Sequence, residues 1–180
     1  MLIDAAGSCL LVVDIQERLL PAVAEPEAVV ANTVTLLKAA QTLGIPVLAS
    51  EQYPKGIGHT VGDVAALLPA DVVVEKLHFS CLSDDEFARR LAALGRRQAV
   101  VVGLEAHVCV LQTAEGLLSA GYDVFVVADA IASRRPTNHA VALRRLEAAG
   151  ARIVTTEMVA FEWLGQAGTP AFREVSRLIK

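Results

Sequence analysis

Residues 100–114 read VVVGLEAHVCVLQTA, and within this stretch a β-branched run gives way to a segment of helical character. The valines end at Gly103, the next four residues favour neither a strand nor a helix, and Cys109 stands where the helical character begins. A short, nearly continuous apolar run that ends at a glycine is typical of a strand buried on both faces. The stretch therefore predicts one β-α unit with a cysteine at the junction between strand and helix.

The same change from a short β-branched run to a longer alanine- and leucine-rich segment recurs along the chain. Six runs rich in Val, Ile and Leu are candidate strands: residues 9–14, 46–50, 72–76, 99–103, 123–128 and 152–155. Four segments carry apolar residues at helix spacing, and each is followed by a glycine that suits a helix C-terminus: residues 27–43, 84–94, 108–120 and 138–149. A final amphipathic helix is predicted over residues 170–180.

A repeated β-α order predicts a parallel sheet covered by helices, with right-handed crossovers between the strands. We therefore expect an α/β protein, a three-layer α/β/α sandwich with a six-stranded parallel sheet. No Pro- or Ser-rich linker, internal repeat or low-complexity segment interrupts the pattern. Residues 1–180 are thus predicted to form a single domain, and this length fits one domain rather than two.

Composition and charge narrow the classes of partner. The chain is 54% hydrophobic with a formal net charge of −4, and its scattered Lys and Arg residues form no basic patch suited to nucleic acid. No window approaches the ~18 uncharged apolar residues of a membrane span, and no secretory leader is recognisable, so a cytoplasmic location is expected. Three widely spaced cysteines, Cys9, Cys81 and Cys109, fit neither a disulfide framework nor a C-x-x-C pair, which predicts reduced thiols.

Reactive side chains stand at the ends of three predicted strands. Open parallel sheets bind ligands outside the carboxyl ends of their strands, where the strand order reverses. Asp14 ends the first strand, Lys76 ends the third, and the fourth runs into the turn that carries Cys109. Each residue alone has an ordinary explanation, as a cap, a solvated charge or a small core residue. Their convergence on one edge predicts a shared cleft.

These three groups suit nucleophilic catalysis. A helix N-terminus and the Lys76 ammonium would lower the pKa of the Cys109 thiol and make thiolate available. Asp14 would take the thiol proton and later return it to a departing amine. The turn after Gly103 would aim backbone N–H groups at a developing oxyanion.

The sequence resembles the isochorismatase-like cysteine hydrolases over nearly its whole length. The resemblance is carried by LLVVDIQERL, EKLHFSCL, VVGLEAHVCVLQTA and VVADAIASR. It implies that Asp14, Lys76 and Cys109 are the catalytic residues of an enzyme that cleaves an amide-like C–N bond through a thioester. It also implies a cis peptide bond between Leu104 and Glu105, and an oxyanion hole formed by the backbone N–H groups of Glu105 and Cys109.

Departures from family patterns refine the expectation. Nicotinamidases in this family bind a metal through a D-x-H pair and a second histidine, whereas this chain has EQYPKGIGHT, with Glu51, Tyr53 and His59. We therefore expect no metal and no cofactor. Isochorismatases that cleave a vinyl ether lack the nucleophilic cysteine, so the presence of Cys109 argues against that activity. The blocks are most similar to the isochorismatase domain-containing subgroup, and this similarity does not supply a substrate.

Further residues are candidates for contact with a small-molecule substrate: Gln16, Tyr53, His59, His78 and Phe79. His107 is expected to be structural, Asp129 and Ser133 to act as turn and cap groups, and the segment 156–168 to contribute to specificity. Two alternatives stay open, a catalytically idle protein that works through its surface and a vinyl ether hydrolase. Small-residue helix faces, together with the resemblance, predict a homo-oligomer of unknown subunit number.

Overall fold

Six parallel strands form one sheet in the order β3-β2-β1-β4-β5-β6 in the computed structural model, which describes residues 1–179. The strands are β1 (Ser8–Val13), β2 (Val47–Gln52), β3 (Val73–Lys76), β4 (Gln98–Leu104), β5 (Asp123–Ala132) and β6 (Arg152–Val154). Every neighbouring pair is parallel, which confirms the predicted sheet. β1 and β4 lie side by side at the centre, where the strand order reverses.

Helices cover both faces of the sheet. They are α1 (Pro26–Leu43), α2 (Pro54–Ile57), α3 (Gly62–Ala65), α4 (Asp85–Ala93), α5 (Leu111–Ser119), α6 (Pro136–Ala149), α7 (Thr156–Leu164) and α8 (Pro170–Val175). Short 3-10 turns occupy Leu20–Ala22 and Cys81–Ser83, and a π-helical turn spans Ala106–Val110. The predicted C-terminal helix thus ends earlier than expected, and Lys180 lies outside the described residues.

Two apolar layers hold the helices onto the sheet, because successive side chains of a strand point to opposite faces. In β1, Leu10 and Val12 face a layer that includes α1, α7 and α8. Leu11 and Val13 face a second layer that includes α4, α5 and α6. All six residues of β1 are buried, as its continuous apolar run predicts. The three-layer α/β/α architecture is therefore confirmed.

Helix α7 was not predicted, since residues 156–168 were treated as a segment that shapes specificity. Its start is capped, because the Thr155 hydroxyl accepts a hydrogen bond from Met158 N and the Asp129 carboxylate accepts one from Thr156 N. Val159, Ala160 and Trp163 on this helix are buried in the layer beside α1, so one face of the helix belongs to the core. The expected contribution of the segment to specificity stays a prediction.

The carboxyl ends of the central strands approach each other closely. Gly103 has φ +145°, and a Cβ atom at this position would lie 2.1 Å from the carbonyl oxygen of Val13, so only glycine fits. Just beyond β1, β2 and β4, the chain turns through residues with positive φ: Asp14 at 53°, Tyr53 at 39° and Glu105 at 56°. Non-glycine residues seldom adopt this conformation, and they cluster at functional sites when they do.

Helices of the described part of the chain are too short or too polar to cross a membrane.

Candidate active site

Asp14 and Lys76 form a buried ion pair at the carboxyl edge of the sheet. The Nζ atom of Lys76 donates to Asp14 Oδ2 at 2.7 Å, and the two residues are 2% and 0% exposed, respectively. β2 separates their strands, so the long lysine side chain bridges the gap. Nζ also donates to Gln52 Oε1 at 2.7 Å and to the carbonyl oxygen of Phe79 at 3.3 Å. All three ammonium protons are therefore used within the protein.

A second set of contacts holds the other oxygen of the Asp14 carboxylate. The Ser50 hydroxyl donates to Asp14 Oδ1 at 2.7 Å, and the Cys81 thiol in turn donates to Ser50 Oγ at 3.4 Å. Burial raises the pKa of Cys81 to about 11, and the charge of Asp14 acts in the same direction. Cys81 is thus a neutral thiol that supports Asp14 through Ser50. Both carboxylate oxygens of Asp14 are engaged, which fixes its orientation.

Cys109 lies beside this pair, within the π-helical turn that precedes α5. It is 3% exposed, and its thiol lies close enough to Asp14 for the charge of that carboxylate to act on it. Burial raises the pKa of the Cys109 thiol well above its ordinary value, the Asp14 charge raises it further, and Lys76 only partly opposes both. The expected lowering of this pKa is therefore wrong. Asp14 largely neutralises the lysine, and Cys109 lies inside a helical turn rather than at the start of α5.

Residues 105–110, which we call the cysteine turn, connect β4 to α5. No cis peptide bond occurs in the described residues, so the expected cis bond between Leu104 and Glu105 is wrong. The chain instead changes direction through the left-handed conformation of Glu105, with φ 56° and ψ 61°. The carbonyl oxygen of Glu105 then accepts a hydrogen bond from Val108 N at 2.8 Å. The oxyanion hole assigned to the N–H groups of Glu105 and Cys109 stays a prediction.

The side chain of Glu105 is buried and joins the cysteine turn to the loop before α6. Its Oε1 lies 2.9 Å from Nε of Arg134, and its Oε2 lies 3.3 Å from Nδ1 of His107. The same His107 nitrogen is 2.9 Å from the Ser133 hydroxyl. His107 is thus half-buried and held by the protein, as expected of a structural histidine, whereas Ser133 bonds to His107 and does not cap α6, which begins without a side-chain cap.

The Gln16 side chain is buried and hydrogen-bonded to the backbone of the protein. Its amide nitrogen donates to the carbonyl oxygens of Gln52 at 3.0 Å and Gly58 at 2.7 Å, and its amide oxygen accepts from Gln52 N at 2.7 Å. The buried amide thereby ties the segment after β1 to the segment after β2. These contacts leave Gln16 little capacity for the predicted contact with substrate, because its amide groups are already bonded to the protein.

His59 is exposed and anchored through its ring. Its Nδ1 lies 2.9 Å from Glu51 Oε2, and Thr60 donates to Glu51 Oε1 from both its backbone N–H and its hydroxyl. Burial alone would raise the pKa of Glu51, but the hydrogen bonds from Thr60 and His59 outweigh burial and lower it. The hydrogen bond to Glu51 raises the pKa of His59. Glu51 therefore holds the loop that precedes α3.

The remaining predicted contact residues form a partly apolar rim beside Lys76. Tyr53 and His78 line a cavity of about 470 Å³ together with Lys76. Phe79, which is 52% exposed, follows directly, and its backbone oxygen holds the lysine. The structure therefore brings Tyr53, His78 and Phe79 close to Lys76. Their contact with substrate stays a prediction.

The profile of the Isochorismatase domain matches residues 8–158. The chain belongs to this family. Isochorismatase domain-containing protein 2 of Danio rerio is 36% identical over 179 residues, covering 98% of this chain and 89% of that protein. Isochorismatase domain-containing protein 1 of Salmo salar is 38% identical over 167 residues, covering 93% of this chain. The chain spans only 59% of the length of the salmon protein.

Solved structures of isochorismatase-fold proteins superpose closely. The MAR1 ribonuclease of Caenorhabditis elegans has a TM-score of 0.93 and 36% identity, covering 99% of this chain and 92% of that one. The YcaC gene product of Escherichia coli, an octameric hydrolase of unknown specificity, has a TM-score of 0.92 and 24% identity, covering 98% and 90%. The latter supports the fold alone. As a family member, this chain carries an isochorismatase-family hydrolase domain.

Sequence reasoning missed two residues of this isochorismatase-domain site, Ser50 and Gln52. Both lie near the carboxyl end of β2, where Ser50 holds Asp14 and Gln52 holds Lys76. Like Asp14 and Lys76, these polar residues stand at the end of a predicted buried strand, in the run Ser-Glu-Gln of residues 50–52. Their position at the end of the second strand was the signal that could have identified them.

Proposed function

We propose that this chain is a cysteine hydrolase that cleaves an amide-like C–N bond of a small molecule through a thioester on Cys109. One observation carries the proposal: a buried thiol lies beside a buried carboxylate, and a buried lysine holds that carboxylate. A thiol with a raised pKa needs a base in contact with it at the moment of attack, and Asp14 meets this requirement.

In the acylation step, Asp14 takes the proton of the Cys109 thiol while the sulfur attacks the carbonyl carbon. The π electrons move to the carbonyl oxygen, which would accept hydrogen bonds from the N–H groups of Glu105 and Cys109. When the tetrahedral intermediate collapses, the C–N bond breaks and Asp14 gives its proton to the leaving amine. Water, deprotonated by Asp14, then hydrolyses the thioester and regenerates the thiol.

Lys76 has an electrostatic role in this scheme. Its three donors are all used by Asp14, Gln52 and Phe79, so it holds the carboxylate instead of transferring protons. General acid–base catalysis by such a carboxylate contributes typically ~100- to 10,000-fold in rate. The near-complete burial of Cys109 favours a small substrate over a polymer.

The test is ammonia release from a panel of small primary amides and N-carbamoyl compounds, with acid-quenched mass spectrometry to find an acyl group on Cys109. We expect Cys109→Ser and Asp14→Asn to lose at least ~100-fold in rate. Cys9→Ala is the matched control, because this thiol is also buried but lies at the other end of β1. The absence of both turnover and adduct across the panel would contradict the proposal.

The alternatives give different results. A vinyl ether hydrolase would keep its turnover in Cys109→Ser and lose it in Asp14→Asn. An idle protein would give neither turnover nor an acyl group on Cys109 with any compound of the panel. RNA belongs in the panel because a 36% identical structure is named a ribonuclease, and RNA cleavage that survives Cys109→Ser would count against a thioester.

We also propose a cytoplasmic homo-oligomer. The octameric state of YcaC supports self-association on this fold, and light scattering coupled to size exclusion measures it directly. A monomeric mass at micromolar concentration would contradict it.

A further inference from the structure

Glu105 combines two features that rarely occur together. Its backbone is left-handed, a conformation that glycine adopts without steric cost. Its side chain is nevertheless a buried carboxylate, and its Oε2, which lies 3.3 Å from His107 Nδ1, has no hydrogen-bond partner among the described residues. Because a buried charge is costly unless it is paired, the choice of glutamate over glycine needs an explanation beyond the shape of the turn.

The contacts of this carboxylate provide that explanation. Arg134 lies at the start of the connection between β5 and α6, and its Nε is 2.9 Å from Glu105 Oε1. The Arg134 side chain is 61% exposed, so its charge reaches the buried carboxylate from the surface. Non-glycine residues keep a left-handed backbone only where their surroundings hold them. The ion pair with Arg134 is one such contact, because it ties the Glu105 side chain to the loop before α6.

We infer that Glu105 and Arg134 form a positioning pair that aims the N–H of Glu105 at the oxyanion, an inference that rests on the proposed function. The pair does not touch the reacting atoms. It acts through the backbone of the cysteine turn, four residues before the Cys109 sulfur. Loosening it should weaken stabilisation of an oxyanion and leave the nucleophilicity of the thiol nearly unchanged.

Two probes of Cys109 separate these effects without a known substrate. Propanal adds reversibly to the thiol: Asp14 takes the thiol proton, an S–C bond forms, and the carbonyl π electrons move to an oxygen that needs the oxyanion hole. Iodoacetamide alkylates the same sulfur at a saturated carbon and expels iodide, so no oxyanion develops. The propanal concentration that halves the alkylation rate at Cys109, measured by peptide mass spectrometry, reports the stability of the adduct, and the alkylation rate without propanal reports the thiol. A change in the first without the second points to the oxyanion hole.

The variants are Arg134→Gln and Glu105→Gln, with Arg135→Gln as the matched control, since this neighbouring arginine is also exposed and belongs to no ion pair among the described residues. We expect the protecting propanal concentration to rise at least ~10-fold in both variants, and the unprotected alkylation rate to change by less than ~3-fold. The control should match the wild type in both readouts. Arg134→Lys keeps the positive charge and should therefore recover part of the affinity for propanal that Arg134→Gln loses.

Each other outcome overturns the inference in a recognisable way. Equal propanal protection in wild type and variants would show that the pair does not position the oxyanion hole. A parallel fall in protection and alkylation would show a general disturbance of the turn. If propanal fails to protect wild-type Cys109 at all, the proposed function fails, and this inference fails with it. Arg134 is exposed, so its substitution keeps the test valid even if Glu105→Gln does not fold.

Discussion

Replacement of Lys76 by methionine tests whether the ion pair is as buried and as strongly coupled as the structure indicates. The change removes the ammonium group but keeps an unbranched side chain of similar length. It leaves the Asp14 carboxylate buried without its cation, and it leaves Gln52 Oε1 and the Phe79 carbonyl oxygen without a donor. Removal of one partner of a buried ion pair typically lowers the free energy of unfolding by ~3–5 kcal/mol. We therefore expect the free energy of unfolding to fall by ~3–5 kcal/mol near neutral pH.

Urea denaturation with linear extrapolation measures this loss, provided that the m value stays constant. The matched control is Arg89→Met, which breaks an ion pair with Glu86 at 2.7 Å whose side chains are 68% and 42% exposed. That change should cost less than ~1 kcal/mol, because solvent screens the pair. The double variant Asp14→Asn/Lys76→Met should recover ~2 kcal/mol or more of the loss, because it no longer buries an unpaired charge. A loss below ~1 kcal/mol in Lys76→Met would show that the ion pair behaves like one exposed to solvent.

Three further predictions follow from the site and the sheet. Asp14→Asn should lower the pH midpoint of Cys109 alkylation, because the aspartate charge raises the pKa of this thiol. Cys9 in the same protein serves as the reference thiol. An unchanged midpoint at Cys109 would contradict the prediction. Stability should fall as pH rises above the ordinary thiol value of 9.0, because burial raises the pKa of Cys9 to about 12 and shifts the other two cysteines in the same direction. In that window the folded state binds more protons than the unfolded state, so the free energy of unfolding decreases with pH, and Cys9→Ala should reduce the slope seen by urea denaturation. Gly103→Ala should prevent folding or lower the thermal stability far more than Gly95→Ala. Both glycines have positive φ, but only at Gly103 would the new Cβ atom lie 2.1 Å from a backbone oxygen. Equal losses would show that the backbone conformation matters and the close approach does not.

Sequence patterns alone predict the six strands, most of the long helices and the edge of the sheet where the candidate site lies. Buried strands read as continuous valine-rich runs and helices as amphipathic segments, because these patterns are local and follow from backbone periodicity. The rule that parallel sheets bind ligands at the carboxyl ends of their strands then selected Asp14, Lys76 and the turn of Cys109. The end of β5 beyond residue 128 and the helix α7 escaped prediction because contacts distant in sequence stabilise them: Ile131 and Ala132 pair with β4, and α7 packs in the layer beside α1.

Tertiary structure decided how these residues interact. Only the strand order places β2 between Asp14 and Lys76, so that Ser50 and Gln52 complete their hydrogen bonds. The direction of the pKa shift of Cys109 depends on how deeply the thiol is buried and on which charge lies nearer, and neither quantity is local in sequence. Electrostatic interactions act through space and change with solvent exposure. The pKa values of these residues therefore depend on the folded structure and do not follow from their spacing in the sequence.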